Sequence, residues 1–128
     1  MNGIDFLADT NAVLYYLSGN SCMKPFITCR FAFSIISEME LLSYSKITDD
    51  EEKKIGGFLN GSLPILITNE IKNMTIQLRR KYNIKLPDAI IAASAIESDL
   101  VLMTADSGFK KIDELQLEIL NPEISFQK

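Results

Sequence analysis

The stretch IKLPDAIIAASAIESDLVLMTAD, residues 84–106, decides the fold of this chain. Pro87 has no amide hydrogen, and the first turn of a helix is where that lack costs nothing. The sequence therefore predicts a helix opening at Pro87, with Asp88 in its first turn, and running to about Ser98. Leu100 to Thr104 then reads as a strand, followed at once by Asp106.

The same alternation extends in both directions. Upstream, Ile4 to Ala8 reads as a first strand and Asn11 to Gly19 as a helix stopped by Gly19. A second helix is expected over Cys22 to Arg30. Phe31 to Ile35 reads as a strand and Ile36 to Lys46 as a helix. Thr48 and Glu51 have capping-box spacing and open a polar-faced helix ending near Gly61. Pro64 to Ile67 reads as a buried strand, and Thr68 caps a helix running to Tyr82. Downstream, Ser107 to Ile112 is a short helix and Leu117 to Leu120 a last strand. Strands alternating with helices imply an α/β fold: a mostly parallel central sheet flanked by helices on both faces, in three layers.

Such sheets bind ligands outside the carboxyl ends of their strands. Asp9 follows the first strand and Asp106 follows the strand over 100–104. Glu40 lies about one turn into the helix after Phe31–Ile35, and Asp88 opens its helix. Singly, each has a structural explanation: a turn at Asp9, a capping box from Ser37 to Glu40, and a favourable first-turn charge at Asp88. Asp106 could cap the next helix. Gathered at one edge, four acids repel: a like-charged pair 4 Å apart costs about 4 kcal/mol at an effective dielectric of 20. A hard divalent cation relieves that repulsion, and an oxygen-only ligand set suits Mg²⁺ or Mn²⁺.

Composition narrows the chemistry. The 128 residues contain no histidine, which excludes Ser-His-Asp and Cys-His nucleophilic catalysis and an imidazole base. With two cysteines, the common zinc sites are also excluded. Cys22 and Cys29, if on one helix, lie about 10 Å apart along its axis, too far for a disulfide; they read as reduced core thiols. At 47% apolar and 23% charged, the chain suits one folded domain spanning residues 1–128. The apolar run Ala89–Ile96 is too short to cross a bilayer, and Asp5 and Asp9 stand where a signal peptide would be basic and apolar. A cytoplasmic protein is the expectation. The net charge of −4 argues against binding nucleic acid by charge alone, unless bound cations change the sign locally.

Four segments resemble the signature blocks of PIN-domain proteins, with the likeness nearest to the toxin ribonucleases of VapBC toxin–antitoxin pairs. They are FLADTNAVLYYL from Phe6, SIISEMELLSY from Ser34, IKLPDAIIAASAI from Ile84 and LVLMTADSGFKKI from Leu100. The resemblance implies an Mg²⁺- or Mn²⁺-dependent ribonuclease, with one or two ions held by Asp9, Glu40, Asp88 and Asp106. It implies supporting roles for Asn11 and Thr104, an RNA substrate, an antitoxin partner and a homodimer. Many relatives carry a further acid where this chain has Gly108, so a second metal is less well provided for than the first. Glu38, two positions from Glu40, points elsewhere on the helix.

Lys72, Arg79 and Lys85 are candidate RNA contacts, among the basic residues Arg80, Lys81, Lys110 and Lys111. Tyr15, Tyr16, Leu41, Leu42 and Tyr44 are candidates for an apolar groove that an antitoxin covers. A signalling receiver domain lacks support, because Ala8 precedes Asp9 and the PILIT strand ends without an acid. A haloacid-dehalogenase phosphatase needs Asp-x-Asp, and here the motif is Asp9-Thr10-Asn11. The rival to the enzyme is a non-catalytic PIN-like module that binds RNA or a protein partner.

Overall fold

The computed structural model describes residues 3–122. Among these, five strands form one sheet: β1 (Phe6–Ala8), β2 (Phe31–Ser34), β3 (Leu63–Ile65), β4 (Val101–Thr104) and β5 (Leu117–Ile119). Their order is β3-β2-β1-β4-β5, and every neighbouring pair is parallel. The helices are α1 (Thr10–Ser18), α2 (Ile35–Leu42), α3 (Asp49–Asn60), α4 (Asn69–Lys81) and α5 (Leu86–Glu97).

Strand alternation divides the interior in two. Leu7, Ala32 and Leu102 face one side of the sheet, packed with α4 and α5 through Ile71, Leu78 and Ile91. Ala8, Phe31, Phe33 and Met103 face the other, packed with α1 and α3 through Val13, Ile55 and Phe58. This is the three-layer α/β arrangement expected, with the sheet wholly parallel. In α5 every residue from Ala89 to Ala95 is buried. Its alanines let the helix lie close to the sheet, and the Ser94 hydroxyl is satisfied by the Ile90 carbonyl at 2.7 Å.

Local signals act as their chemistry dictates. The capping box joins Thr48 and Glu51 in both directions. The Thr68 hydroxyl accepts from Ile71 N–H. Gly19 ends α1 in the left-handed region at φ 75°, a conformation that a side chain opposes. Asp99 does the same after α5 at φ 55°, while Leu100 N–H closes back onto the Ala95 carbonyl, as at many helix ends.

Three expectations need correction. Instead of a helix over Cys22–Arg30 there is a 3₁₀ segment, Ser21–Phe26, containing Pro25. Proline cannot donate a helical hydrogen bond and biases the residue before it away from helix. Cys22 and Cys29 therefore do not share a helix; both are thiols, partly buried against the α1–α3 side of the core. The helix expected to Lys46 ends at Leu42, where Ser43 N–H caps onto the Met39 carbonyl. Strand β3 covers Leu63–Ile65, not Pro64–Ile67, leaving Leu66 and Ile67 exposed.

A carboxylate cleft at the carboxyl edge of the sheet

Strand order reverses between β1 and β4, because the chain runs outward from β1 through β2 to β3 and then returns to the other side of β1. The carboxyl ends of these two neighbours thus open a crevice of the kind in which parallel sheets bind ligands. Asp9 lies on its floor, joined to β4 by its N–H to the Met103 carbonyl at 3.1 Å.

Asp9 is buried, and both its oxygens are engaged. Oδ1 accepts from Ala12 N–H at 2.8 Å, capping α1. Oδ2 accepts from the Thr104 hydroxyl at 2.5 Å. Each oxygen keeps a second lone pair for another ligand. Burial raises the Asp9 pKa above its ordinary 3.8; the two hydrogen bonds oppose the rise, and the charges of Asp106 and Asp88 add to it.

Thr104 is fully buried at the end of β4. Its hydroxyl hydrogen goes to Asp9, and its oxygen accepts from Asp106 N–H at 3.0 Å. Asp106 caps the 3₁₀ turn Ser107–Lys111, its Oδ1 accepting from Gly108 N–H at 2.8 Å. A Cβ at position 108 would stand 3.0 Å from that oxygen. The close approach suits glycine there.

Glu40 arrives from α2, which begins directly after β2 and packs against both α1 and α5. Thr10 donates its one hydroxyl hydrogen to Glu40 Oε1 at 2.5 Å. The Ser37 hydroxyl, 2.9 Å from Thr10 Oγ1, is left to donate to it. Asp88 stands in the first turn of α5, and no hydrogen bond or ion pair reaches its carboxylate among the described residues. Burial raises its pKa, the charges of Asp106 and Glu40 raise it further, and Lys85 partly offsets them.

Asp9, Asn11, Glu40, Asp88 and Asp106 all line one hollow of about 290 Å³, with Thr10, Ile91 and Phe109. Among the described residues the ion pairs are Lys54–Asp50 and Lys81–Glu114, so no basic side chain neutralises these acids directly. The donor set is all oxygen, and its charges repel one another. Both features fit a hard divalent cation. Among the described residues, however, no three acids are arranged to hold an ion directly between them. Mg²⁺ tolerates this, because it keeps several waters and binds through one or two carboxylates.

Of the basic candidates, Lys85 adjoins the cleft. Lys72 lines none of the hollows described here, and Arg79 Nε donates to the Ile84 carbonyl at 3.2 Å. Thr10 and Ser37 were not identified from sequence as parts of the site. A hydroxyl pair spread over two helices has no sequence signature, although Thr10 stands beside Asp9. A larger, apolar groove of about 520 Å³ adjoins the cleft at Thr10 and Glu40, lined by Leu14, Leu17, Leu41 and Tyr44 among others. Leu41 and Tyr44 lie where the sequence placed them. Tyr16 instead packs edge-on against Phe31 and Phe58, and Tyr15 and Leu42 stand outside the groove lining.

This fold is shared with known proteins. Residues 6–115 match the PIN domain, and the chain belongs to that family, a family of nucleases. A toxin–antitoxin complex from Klebsiella pneumoniae contains a chain that is 30% identical, covering 87% of this chain and 95% of that one, with a TM-score of 0.75. VapBC2 from Rickettsia felis, bound to a DNA fragment from its promoter, matches in fold with a TM-score of 0.79 at 23% identity, covering 92% of this chain and 100% of that one. An uncharacterized protein of Archaeoglobus fulgidus is 44% identical over 59 residues, which is 46% of this chain and 90% of that one. Among the described residues no helix is long and apolar enough to cross a membrane.

Proposed function

We propose that this protein is an Mg²⁺- or Mn²⁺-dependent ribonuclease that hydrolyses RNA phosphodiester bonds, acting as the toxin of a toxin–antitoxin pair. The observation that carries this reading is the meeting of four carboxylates from separate parts of the chain in one cleft, with no basic residue among the described ones paired to them. Asp9, Asp88 and Glu40 would hold the first ion, directly or through water. A bound ion of this kind acidifies water and stabilises charge developing around phosphorus.

The chain's own groups prepare that site. Thr104 holds one oxygen of Asp9 and fixes the carboxylate plane. The Ser37–Thr10 pair aims Glu40 toward the cleft. Asp106 orients the attacking water or serves a second ion. Asn11, exposed at the start of α1, contributes a neutral polar group to the wall. The apolar groove beside Glu40 suits apolar side chains of an antitoxin segment, which would then cover the cleft mouth. A single domain over residues 1–128, a homodimeric assembly and a cytoplasmic location complete the proposal.

The test is cleavage of several structured RNAs with Mg²⁺, Mn²⁺ and chelator. Metal-dependent cleavage by the wild type, abolished in a folded Asp9→Asn variant, is the expected result. The rival is a non-catalytic module that binds RNA or a protein. A wild type that binds RNA yet cuts none of the substrates under any ion condition would favour it.

A further inference from the structure

The cleft continues beyond the acids. Asp88, Asp106 and Phe109 also line a second hollow, together with Lys85 and Lys111. Lys85 is the residue before α5 and lies close enough for its charge to act on Asp88. Lys111 ends the 3₁₀ turn, and its Nζ donates to the Asn83 carbonyl at 2.5 Å. An ammonium has three hydrogens, so this bond fixes the Lys111 head while leaving two donors. Neither lysine forms an ion pair among the described residues.

The other approaches to the acids are different. Among the described residues, no Lys or Arg lines the carboxylate hollow. The apolar groove has Lys54 alone, and that lysine is paired with Asp50 at 3.6 Å. A single-stranded polyanion entering an acidic cleft needs cations where its backbone leaves the metal position. Of these three hollows, and among the described residues, the second offers two such side chains next to the acids.

We infer that Lys85 and Lys111 together bind the RNA phosphate next to the scissile one, so that the strand leaves the cleft between the start of α5 and the turn Ser107–Lys111. This inference rests on the ribonuclease reading and names the path of its substrate. Backbone contacts of this kind position a strand without reading its sequence. Each phosphate contact on a single strand contributes about 0.7 to the slope of log affinity against log salt.

The experiment measures binding of a labelled single-stranded RNA by anisotropy across a salt series, with chelator present to prevent cleavage. Wild type is compared with Lys85→Ala/Lys111→Ala, Lys111→Arg and, as a distant control, Lys24→Ala. The double variant should bind more weakly and lose about 0.7 from the slope, the share of the one phosphate that the two lysines hold. Lys111→Arg and Lys24→Ala should keep the wild-type slope. An unchanged slope in a folded double variant overturns the inference.

Cleavage of the same RNA in Mg²⁺ separates this from the broader reading. Lysine-dependent binding by a wild type that cuts no RNA keeps the phosphate site and overturns the ribonuclease. Wild-type cleavage, with KM and salt slope unchanged in the double variant, does the reverse.

Discussion

Thr104 donates its hydroxyl hydrogen to Asp9 Oδ2 at 2.5 Å, joining the carboxyl ends of two neighbouring parallel strands across 95 positions of sequence. The bond lies where strand order reverses, so it ties the floor of the cleft to both halves of the sheet. It also lowers the Asp9 pKa against the larger effect of burial.

Thr104→Val keeps the shape of the side chain and removes this donor. A buried hydrogen bond to a charged group contributes about 1.5–3 kcal/mol. The variant should lose about that much unfolding free energy, seen as a lower denaturant midpoint, and show weaker stabilisation by Mg²⁺. Thr104→Ser should recover most of both. Equal denaturation midpoints for wild type and Thr104→Val would show that the bond contributes nothing.

Asp9→Asn and Asp9→Ala distinguish catalysis from capping. Asparagine caps a helix about as well as aspartate, whereas alanine loses about 0.5–2 kcal/mol. Asp9→Asn also removes one like charge from the cluster. Its metal-free fold should therefore hold or gain stability while RNA cleavage collapses, each 1.36 kcal/mol of lost barrier stabilisation being tenfold in rate. Asp9→Ala should lose both stability and activity. Near-wild-type cleavage by folded Asp9→Asn protein would remove Asp9 from the mechanism.

The order of elements was legible because Pro87, Thr48, Thr68 and Gly19 each state a local preference strong enough to survive packing. The region around Cys22–Arg30 was misread because its apolar spacing suggested a helix that Pro25 interrupts. The placing of the acids at one edge was legible for Asp9 and Asp106 from their positions after strands, for Asp88 from its helix first turn, and for Glu40 from its position one turn into the helix after β2. What no local pattern carries is the juxtaposition of α1 and α2, through which Thr10 and Ser37 orient Glu40. The apolar groove was only half legible for the same reason. Leu41 and Tyr44 line it, but helix rotation turns Tyr16 toward Phe31 and Phe58.

The raised pKa values of Asp9 and Asp88 fix the sign of a pH effect. Their folded forms bind protons more readily than the unfolded chain. Their contribution to metal-free stability is therefore complete below 3.8 and lost as pH rises through the raised values. Glu114 opposes this: Tyr82 and Lys81 hold its pKa down to about 2, so its contribution is lost on acidification from 4.5 toward that value. Metal-free protein should thus become more stable as pH falls from neutral toward 4.5, and this gain should be smaller in Asp9→Asn. Thermal melts across that range in chelator supply the measurement. Stability that falls steadily on acidification in both proteins would contradict the assigned directions.

Divalent ions should reverse that trend, because they bind the ionised carboxylates. At an ion concentration 100 times the dissociation constant, linkage predicts about 2.7 kcal/mol of added stability. The gain should grow from pH 5 to pH 7 and be largely absent in Asp88→Asn. Gly108→Asp should lower metal-free stability, since its Cβ crowds Asp106 Oδ1 and its charge joins the cluster. The same variant should gain more from Mn²⁺ than wild type does. Identical melting points with chelator, Mg²⁺ and Mn²⁺ would remove the metal site from the account.

The apolar groove gives a prediction independent of catalysis. Leu14 lines it and is 44% exposed, so Leu14→Asp removes little buried surface from the core. A partner segment seated there would bury that position, and an unpaired carboxylate facing an apolar partner is costly. If the groove receives an antitoxin, Leu14→Asp should leave the fold and the intrinsic RNA cleavage near wild type while weakening inhibition by a small protein encoded in the adjoining reading frame. A loss of 2–3 kcal/mol in binding, of the order expected for an interface hot spot, lowers affinity by about 30- to 150-fold. Titration calorimetry of the purified pair gives the affinity, and inhibition of RNA cleavage gives its functional counterpart. Undiminished affinity for Leu14→Asp would place the partner on another face of the molecule.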